Sequence, residues 1–132
     1  MISHTTTDII NALLELSRLP SGQSEGAVRI AQKIHAPRNY LAKTLQKLAR
    51  QGLVASQKGL NGGFRLAKPA AEIRLYDVVE VVEDLGRFSR CCMGRGACSS
   101  RKPCSLHNRW QKVQHEYIDF LQGTTIADIK EI

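Results

Sequence analysis

A glycine-rich turn near the middle of the chain limits the folds that this sequence can adopt. The turn spans residues 58–63 and lies between two short segments of strand-forming residues, 53–56 and 64–66. Its three glycines and one asparagine permit the positive φ angles of a tight β-hairpin. They also let backbone N–H groups approach a phosphate or the minor groove of DNA without a Cβ in the way. The sequence therefore predicts a hairpin over residues 53–66.

Two helices are predicted directly before this hairpin. Apolar residues recur at helical spacing across 27–34, and Ser24 is a suitable N-cap for that helix. Pro37 interrupts the pattern and can begin the next helix, which stops at Gly52. The predicted buried face of this next helix consists of Leu41, Thr44, Leu45 and Leu48. A helix pair with a tight turn, followed by a hairpin, predicts a winged helix-turn-helix.

The positive charge of the chain is concentrated in its first half. The net charge is +7, and residues 1–70 hold ten basic and three acidic side chains, whereas the remainder holds nine of each. Such an excess in one half of a chain predicts an anionic partner there, and nucleic acid is the partner that a basic helix pair suits best.

The second helix of the pair carries side chains suited to double-stranded DNA. Its N-terminal residues would enter the major groove, and here they are Arg38, Asn39 and Tyr40. Arginine can form two hydrogen bonds to guanine, and asparagine can do the same with adenine. Further DNA contacts are expected from the polar face of the helix and from the wing. These residues are Lys43, Lys47, Lys58, Asn61, Gly62 and Gly63.

A regular series of cysteines marks the second half of the chain. Cys92, Cys98 and Cys104 are separated by five residues each, and His107 follows three positions after the last. Residues 86–112 hold seven basic and no acidic side chains. Thiolates and imidazole are ligands for zinc or for an iron–sulfur cluster. A disulfide-based switch is a third interpretation, because nearby arginines favour the thiolate form of a cysteine.

The spacing of these residues bears on the choice of metal. Structural zinc sites use pairs of ligands with two to four residues between them, and only Cys104 and His107 meet that rule. The wider gaps, one of them rich in glycine, suit a bulkier cluster. Cys91 is an alternative to Cys92, although Cys92 preserves the even spacing.

Together, the wing and the cysteine series resemble the iron–sulfur winged-helix transcription regulators of the IscR and NsrR type. The resemblance extends over nearly the whole chain and is carried by residues 40–41, 45, 48, 52–54, 59–64, 66 and 77–79, and by the cysteine and histidine series. It implies a transcription regulator whose operator affinity is controlled by an iron–sulfur cluster that senses iron, redox state or nitric oxide. One departure is the polar start, residues 1–7, which lacks the basic residue and the aromatic residue that many relatives have there.

The resemblance also implies ligands for the cluster. Cys92, Cys98, Cys104 and His107 match the family pattern with three thiolates and one histidine, which holds a 2Fe–2S cluster. In the nitric-oxide sensors, which hold a 4Fe–4S cluster, an acidic residue near the N-terminus reaches across from the other subunit. Asp8 is therefore the alternative fourth ligand. The alternative function is a zinc-stabilised or thiol-redox winged-helix DNA-binding protein without an iron–sulfur cluster.

A long helix is predicted after the cysteine series. Its apolar positions alternate in steps of four and three, which is typical of a packing seam. They are Leu106, Trp110, Val113, Tyr117 and either Phe120 or Leu121. The resemblance implies that this helix forms a homodimer, and two-fold symmetry then predicts a palindromic operator.

The predicted fold class is mainly α with a small β-hairpin. Residues 1–70 would form the winged helix-turn-helix domain, and residues 71–132 would contain the cluster-binding loop (86–107) and the dimerisation helices. The sequence has no motif that supports an enzyme. It has no apolar run of the length that spans a bilayer and no secretory signal, so a cytoplasmic protein without a membrane partner is expected.

Overall fold

The structure is a computed structural model that describes residues 2–96 and 101–130. Within these residues it has five α-helices, a two-stranded hairpin and three 3₁₀ helices. The α-helices are α1 (His4–Ser17), α2 (Ala27–Ile34), α3 (Arg38–Arg50), α4 (Leu75–Val82) and α5 (His107–Gly123). The strands are β1 (Val54–Gln57) and β2 (Gly63–Leu66), and the 3₁₀ helices are Ala70–Glu72, Leu85–Ser89 and Ile126–Asp128. The predicted fold class, mainly helical with a small hairpin, is confirmed.

The first three helices pack around one apolar core. The buried residues of α3 are Leu41, Thr44, Leu45 and Leu48, as the helical periodicity predicts. They meet Ile9, Leu13 and Leu16 of α1 and Ile30 of α2, all buried. α1 begins at the N-cap Ser3, whose side chain accepts a hydrogen bond from the backbone N–H of Thr6. The helix pair that would read DNA is thus held from behind by α1.

The predicted N-cap of α2 is wrong. The helix begins at Ala27 with Gly26 as its N-cap, and Ser24 makes no capping hydrogen bond. The reason is a contact between residues distant in sequence: Glu25 exchanges two backbone hydrogen bonds with Phe64 of β2, 2.9 and 2.8 Å long. Residues before α2 are therefore extended along the hairpin instead of turning into the helix.

The hairpin has an antiparallel register in which Val54 lies opposite Leu66 and Gln57 opposite Gly63. Gly63 has a φ of 139°, and a Cβ on it would lie 2.4 Å from the carbonyl oxygen of Glu25. A Cβ on Gly62 would lie 2.4 Å from the carbonyl oxygen of Gln57. Glycine is required at both positions because two backbone segments approach too closely for any side chain.

α4 connects the winged part of the chain to its C-terminal part. It buries Leu75, Val78 and Val79 in the common core, where Leu121 of α5 joins them. The chain after α5 returns to the start of α4, because the backbone N–H of Ile126 donates to the carbonyl of Ile73 over 2.9 Å. None of the helices in the described ranges combines the length and the apolar character needed to cross a bilayer.

Candidate DNA-binding surface and cysteine segment

The exposed face of α3 carries positive charges that have no partner within the described part of the protein. Arg38, Asn39, Lys43 and Lys47 are all exposed. None of the three basic side chains forms an ion pair with an acidic residue of ranges 2–96 and 101–130. Uncompensated cations on the second helix of a helix-turn-helix can bind phosphates without first breaking a salt bridge.

The cations of α2 differ in this respect from those of α3. Lys33 lies 2.7 Å and Arg29 lies 3.5 Å from a carboxylate oxygen of Glu25, which is only 8% exposed. Lys33 also lies 3.9 Å from Glu15 of α1. The acidic residues of the winged part therefore neutralise α2, and the positive potential remains on α3 and the wing.

Tyr40 makes a contact inside the protein. Its side chain is half-buried, and its hydroxyl donates to the backbone carbonyl of Thr5 in α1 over 3.2 Å. The backbone carbonyl of Tyr40 in turn accepts from the Thr44 hydroxyl over 3.0 Å. Tyr40 thus fixes the first turn of α3 to the first turn of α1, and its predicted contact with DNA stays a prediction.

The wing presents side chains at its tip and a tightly packed backbone behind it. Lys58 and Asn61 are exposed, and Asn61 has a left-handed φ of 65°. The backbone N–H of Gly62 closes the turn on the carbonyl of Gly59 over 2.9 Å. Gly62 and Gly63 lie at the base of this turn, where they shape the wing that holds Lys58 and Asn61 outward.

The cysteine segment, defined here as residues 90–107, lies between α4 and α5. Cys98 lies outside the described residues. Cys92 is exposed, Cys91 and Cys104 are half-buried, and His107 is 5% exposed as the first residue of α5. The side chains of Cys91 and Cys104 are in hydrogen-bonding contact, and the backbone N–H of His107 donates to the carbonyl of Cys104 over 3.0 Å. A backbone turn therefore joins Cys104 to His107, and the side chain of Cys91 lies beside that of Cys104.

Local backbone geometry favours the thiolate form of Cys91. The backbone N–H groups of Met93 and Arg95 point at its sulfur and lower the pKa of the thiol. Partial burial opposes this shift, while the Cys104 side chain and the charge of Arg95 add to it. A thiolate is the form in which cysteine binds a metal or attacks an oxidant.

Both ends of the cysteine segment are attached to neighbouring elements. The indole N–H of Trp110 donates to the carbonyl of Arg90 over 2.9 Å. Phe88, in the 3₁₀ helix before the segment, packs on Tyr117 of α5 with ring centroids 4.6 Å apart. α5 thus contacts the start of the cysteine segment as well as continuing from its end.

Glu83 links the C-terminal end of α4 to α1. One of its carboxylate oxygens accepts from the Thr6 hydroxyl over 2.5 Å and from the Ser3 backbone N–H over 2.8 Å. Burial is the largest single influence and raises the pKa of Glu83, but the hydrogen bonds from Thr6 and Ser3 together outweigh it and hold the pKa below its ordinary value. Glu83 is therefore ionised at neutral pH.

Asp8 lies on α1 with its side chain half-buried. Within ranges 2–96 and 101–130 it has no hydrogen bond or ion pair. Its carboxylate is consequently available to a ligand from outside the described part of the chain.

The described part of the cysteine segment offers thiol and imidazole donors. Among the described residues no group of three or more side chains is arranged to hold one metal ion. The donors that are described suit an iron–sulfur cluster in their chemistry, because two thiols in contact are followed by a buried imidazole. Arg87, Arg90 and Arg95 are exposed around them and would offset the negative charge of thiolate ligands.

Three contacts near the site were not found by sequence reasoning. They are the bonds from Thr6 to Glu83, from Tyr40 to Thr5 and from Trp110 to Arg90. Each joins residues far apart in sequence, and two of them end on backbone carbonyls, which no residue pattern reveals. For the third contact the sequence offered one indication, the single tryptophan of the chain, which lies three residues after His107.

Exposed cations on the second helix of a helix-turn-helix, beside a glycine-built wing, define a winged-helix DNA-binding protein. The family Rrf2, described as "Iron-dependent Transcriptional regulator", matches residues 2–131. The chain belongs to this family and is a DNA-binding transcriptional regulator. The family agrees with the resemblance seen in the sequence, and it is a family of regulators and not of enzymes.

Relatives in sequence and structure give the same classification. The chain is 37% identical over 103 residues to a protein of Aquifex aeolicus that is described as an HTH-type transcriptional regulator. The match covers 76% of this chain and 72% of the relative. It is 38% identical over 116 residues to Protein aau3 of Rhizobium meliloti, covering 87% and 70%.

Solved structures share the fold at lower identity. The T. potens IscR structure has a TM-score of 0.77 at 22% identity, covering 97% of this chain and 84% of its own. CymR, the global cysteine regulator of B. subtilis, has a TM-score of 0.80 at 23% identity, covering 97% and 94%. An oxidized form of Staphylococcus aureus CymR has a TM-score of 0.75 at 21% identity, covering 100% and 97%.

Proposed function

We propose that this regulator is a homodimer whose affinity for a palindromic operator is set by an iron–sulfur cluster in the cysteine segment. Cys92, Cys98, Cys104 and His107 would hold the cluster, with 2Fe–2S as the expected type. Asp8 of a second copy is the alternative fourth ligand, and Cys91 is the alternative to Cys92. When bound, the cluster supplies sensitivity to iron supply, oxidants or nitric oxide.

The observation that carries the proposal is the contact between two thiols in the segment before α5. The Cys91 and Cys104 side chains are in contact, and buried His107 follows at the first position of the helix. The description of the Rrf2 family as iron-dependent supports the same chemistry. The contact of Cys91 with Cys104 favours Cys91 as a ligand more than its sequence spacing did.

The homodimer is supported by an apolar row that runs from the N-cap of α5 along the helix. Leu106, Val113 and Phe120 are spaced by seven residues, and they are 38%, 51% and 50% exposed. Leu121, on another face of the same helix, is fully buried in the core of its own chain. A second copy of α5 would cover this row, and the resulting symmetry would place two α3 helices on two half-sites.

The test is anaerobic purification followed by absorption and Mössbauer spectroscopy, with operator binding measured before and after iron is removed by a chelator. We expect a coloured protein, loss of colour in the Cys104→Ser and His107→Ala variants, and a 5- to 150-fold change in affinity, which is about the usual size of a coupling between two sites. A colourless zinc protein, or equal affinity in the two states, would contradict the proposal.

A second candidate function is regulation by a disulfide. The contact between Cys91 and Cys104 favours it, and one solved relative of the same fold is an oxidized CymR. With hydrogen peroxide as the oxidant, the two thiols would lose two electrons and two protons to form one S–S bond, and the peroxide would be reduced to two water molecules. Peroxide-dependent operator binding that persists in metal-free protein and disappears in Cys91→Ser would favour this candidate.

A further inference from the structure

The first turn of α1 contacts both the end of α4, which leads to the cysteine segment, and the start of α3. On one side, the Thr6 hydroxyl and the Ser3 backbone N–H both donate to Glu83. On the other side, the backbone carbonyl of Thr5 accepts from the Tyr40 hydroxyl over 3.2 Å. Adjacent residues of one helical turn therefore contact α4 and α3.

Glu83 is the last point of α4 before the chain enters the cysteine segment. It is the C-cap residue of α4, and the 3₁₀ helix Leu85–Ser89 follows and leads to Cys91. That 3₁₀ helix is fixed to α5 by the contact of Phe88 with Tyr117. A rearrangement of the cysteine segment against α5 would therefore reach the Glu83 carboxylate through a short stretch of chain.

Tyr40 is the first half-buried residue of α3, the helix expected to read DNA and called the recognition helix below. It directly follows the exposed Arg38 and Asn39. Its hydroxyl bond to Thr5 sets the distance between the first turns of α3 and α1. A shift of Thr5 would change the support of the turn that presents Arg38 to DNA.

We propose that Glu83 is a positioning residue that transmits the state of the cysteine segment to the recognition helix, through Thr6, Thr5 and Tyr40. This proposal rests on the proposed function, because it needs two states of the cysteine segment. The first turn of α1 is the element that differs between those states.

The physical basis is the burial of Thr6. Its side chain is fully buried, so its hydroxyl cannot replace Glu83 with water unless the turn moves. When the carboxylate is withdrawn, the buried Thr6 hydroxyl is left with the Ser3 hydroxyl, 3.1 Å away, as its partner. The first turn then closes on Ser3 instead of on Glu83, and Thr5 moves with it. Hydrogen bonds of this kind change an equilibrium by roughly 2- to 10-fold each, which is enough for a coupling between two sites.

The experiment measures the coupling ratio, defined as operator affinity of the anaerobically purified protein divided by affinity after chelation. It compares wild type with Thr6→Val, which keeps the shape and removes the hydroxyl, with Glu83→Ala, which removes the acceptor, and with Tyr40→Phe. Tyr76→Phe is the matched control, since Tyr76 is a half-buried tyrosine of α4 whose hydroxyl has no hydrogen bond among the described residues. We expect the three variants to bring the ratio to within about 2-fold of 1, and the control to retain the wild-type ratio. The Glu83→Ala/Tyr40→Phe double variant should lose no more than either single variant.

The outcomes separate this proposal from the proposed function. A wild-type ratio of 1 overturns both. A normal wild-type ratio that persists in Thr6→Val and Glu83→Ala overturns only the transmission through α1. Hydrogen exchange on wild type gives a second measurement that needs no variant: chelation should change exchange at residues 4–7 and 38–41 together. A response at 38–41 without one at 4–7 would also overturn the proposal.

Discussion

The side chain of Trp110 holds the backbone carbonyl of Arg90 at 2.9 Å, so the first turn of α5 is bonded to the start of the cysteine segment. Arg90 itself is only loosely paired with Asp84, at 3.9 Å. The tryptophan is therefore the main polar attachment of this end of the segment among the described residues.

Removing the indole N–H should loosen the cysteine segment without unfolding the protein. We expect Trp110→Phe to lose about 0.5–1.5 kcal/mol locally, because the ring stays and one hydrogen bond is lost. Hydrogen exchange should become faster at residues 87–96 and stay unchanged in α3. Glu116→Gln, at an exposed residue of the same helix, is the control. Unchanged exchange at 87–96 would show that other contacts hold the segment.

The cations of α3 should account for DNA affinity in two different ways. Lys47→Ala should weaken binding to all sequences and reduce the slope of log affinity against log salt by about 1. Arg38→Ala should cost about 1–3 kcal/mol on the operator and much less on unrelated DNA.

Lys33→Ala provides the matched control for both variants. Lys33 is paired with Glu25, so its removal should leave the salt slope of DNA binding unchanged. Titrations at several salt concentrations, with operator and random duplexes, measure all three variants. Equal slopes for Lys47→Ala and Lys33→Ala would mean that α3 does not lie against phosphates.

The apolar row on α5 should determine the oligomeric state. Val113→Asn and Phe120→Asn place polar groups on residues that are half exposed in the single chain, so the fold of each protomer should persist. A dimer should dissociate at concentrations at which wild type stays associated, and sedimentation velocity measures this. Val28→Asn, at a 47% exposed residue of α2, should have no such effect. Identical sedimentation of all four proteins would exclude this row as the interface.

Substitution of the wing glycines should separate strain from steric clash. Gly59→Ala meets open space and only has to adopt a φ of 93°, which costs about 1–2 kcal/mol. Gly63→Ala combines a positive φ with a backbone clash at 2.4 Å, so a loss above about 3 kcal/mol is expected. Urea denaturation measures both. Equal losses would mean that the bridge between Glu25 and Phe64 is easily broken.

Stability should fall with acid partly through Asp77. The Arg74 guanidinium, hydrogen-bonded to Asp77 at the N-cap of α4, is the main reason that the pKa of Asp77 lies below its ordinary value. A depressed pKa means that the stabilising contribution is present above pH ~4 and is lost as pH falls through the lower folded value. Asp77→Asn should cost about 0.5–1 kcal/mol at pH 7 and less at pH 3, by thermal denaturation. Asp119→Asn, exposed and unbonded in the described part, should match wild type at both values.

Periodicity predicted the parts of the fold that depend on local sequence. The buried face of α3 was predicted residue by residue, because a helix repeats its contacts every three or four positions. The hairpin was predicted from the glycines and asparagine of its turn, which are also a local property of the sequence. The prediction of Ser24 as the N-cap of α2 was wrong because the next residue, Glu25, pairs with Phe64 of β2. Capping preference is local, whereas this pairing joins residues that are distant in sequence.

The candidate site was predictable only as a set of residue types. Spacing and charge identified the cysteine series and the basic face of α3, since both are visible in a linear sequence. The lowered pKa of the Cys91 thiol could not be predicted, because it depends on backbone N–H groups of Met93 and Arg95, and no residue pattern shows where such groups point. The polar start of the chain looked like a mere departure from the family, yet Ser3 and Thr6 there bond Glu83.

The lack of internal partners on the outer face of α3 has a consequence for design. Arg38, Asn39 and Lys43 are exposed and, within the described residues, their side chains form no hydrogen bond or ion pair that the fold depends on. They can be exchanged for other residues while Leu41, Thr44 and Leu45 keep the helix seated. Randomising these three positions should therefore change the DNA preference of the protein while its fold is kept.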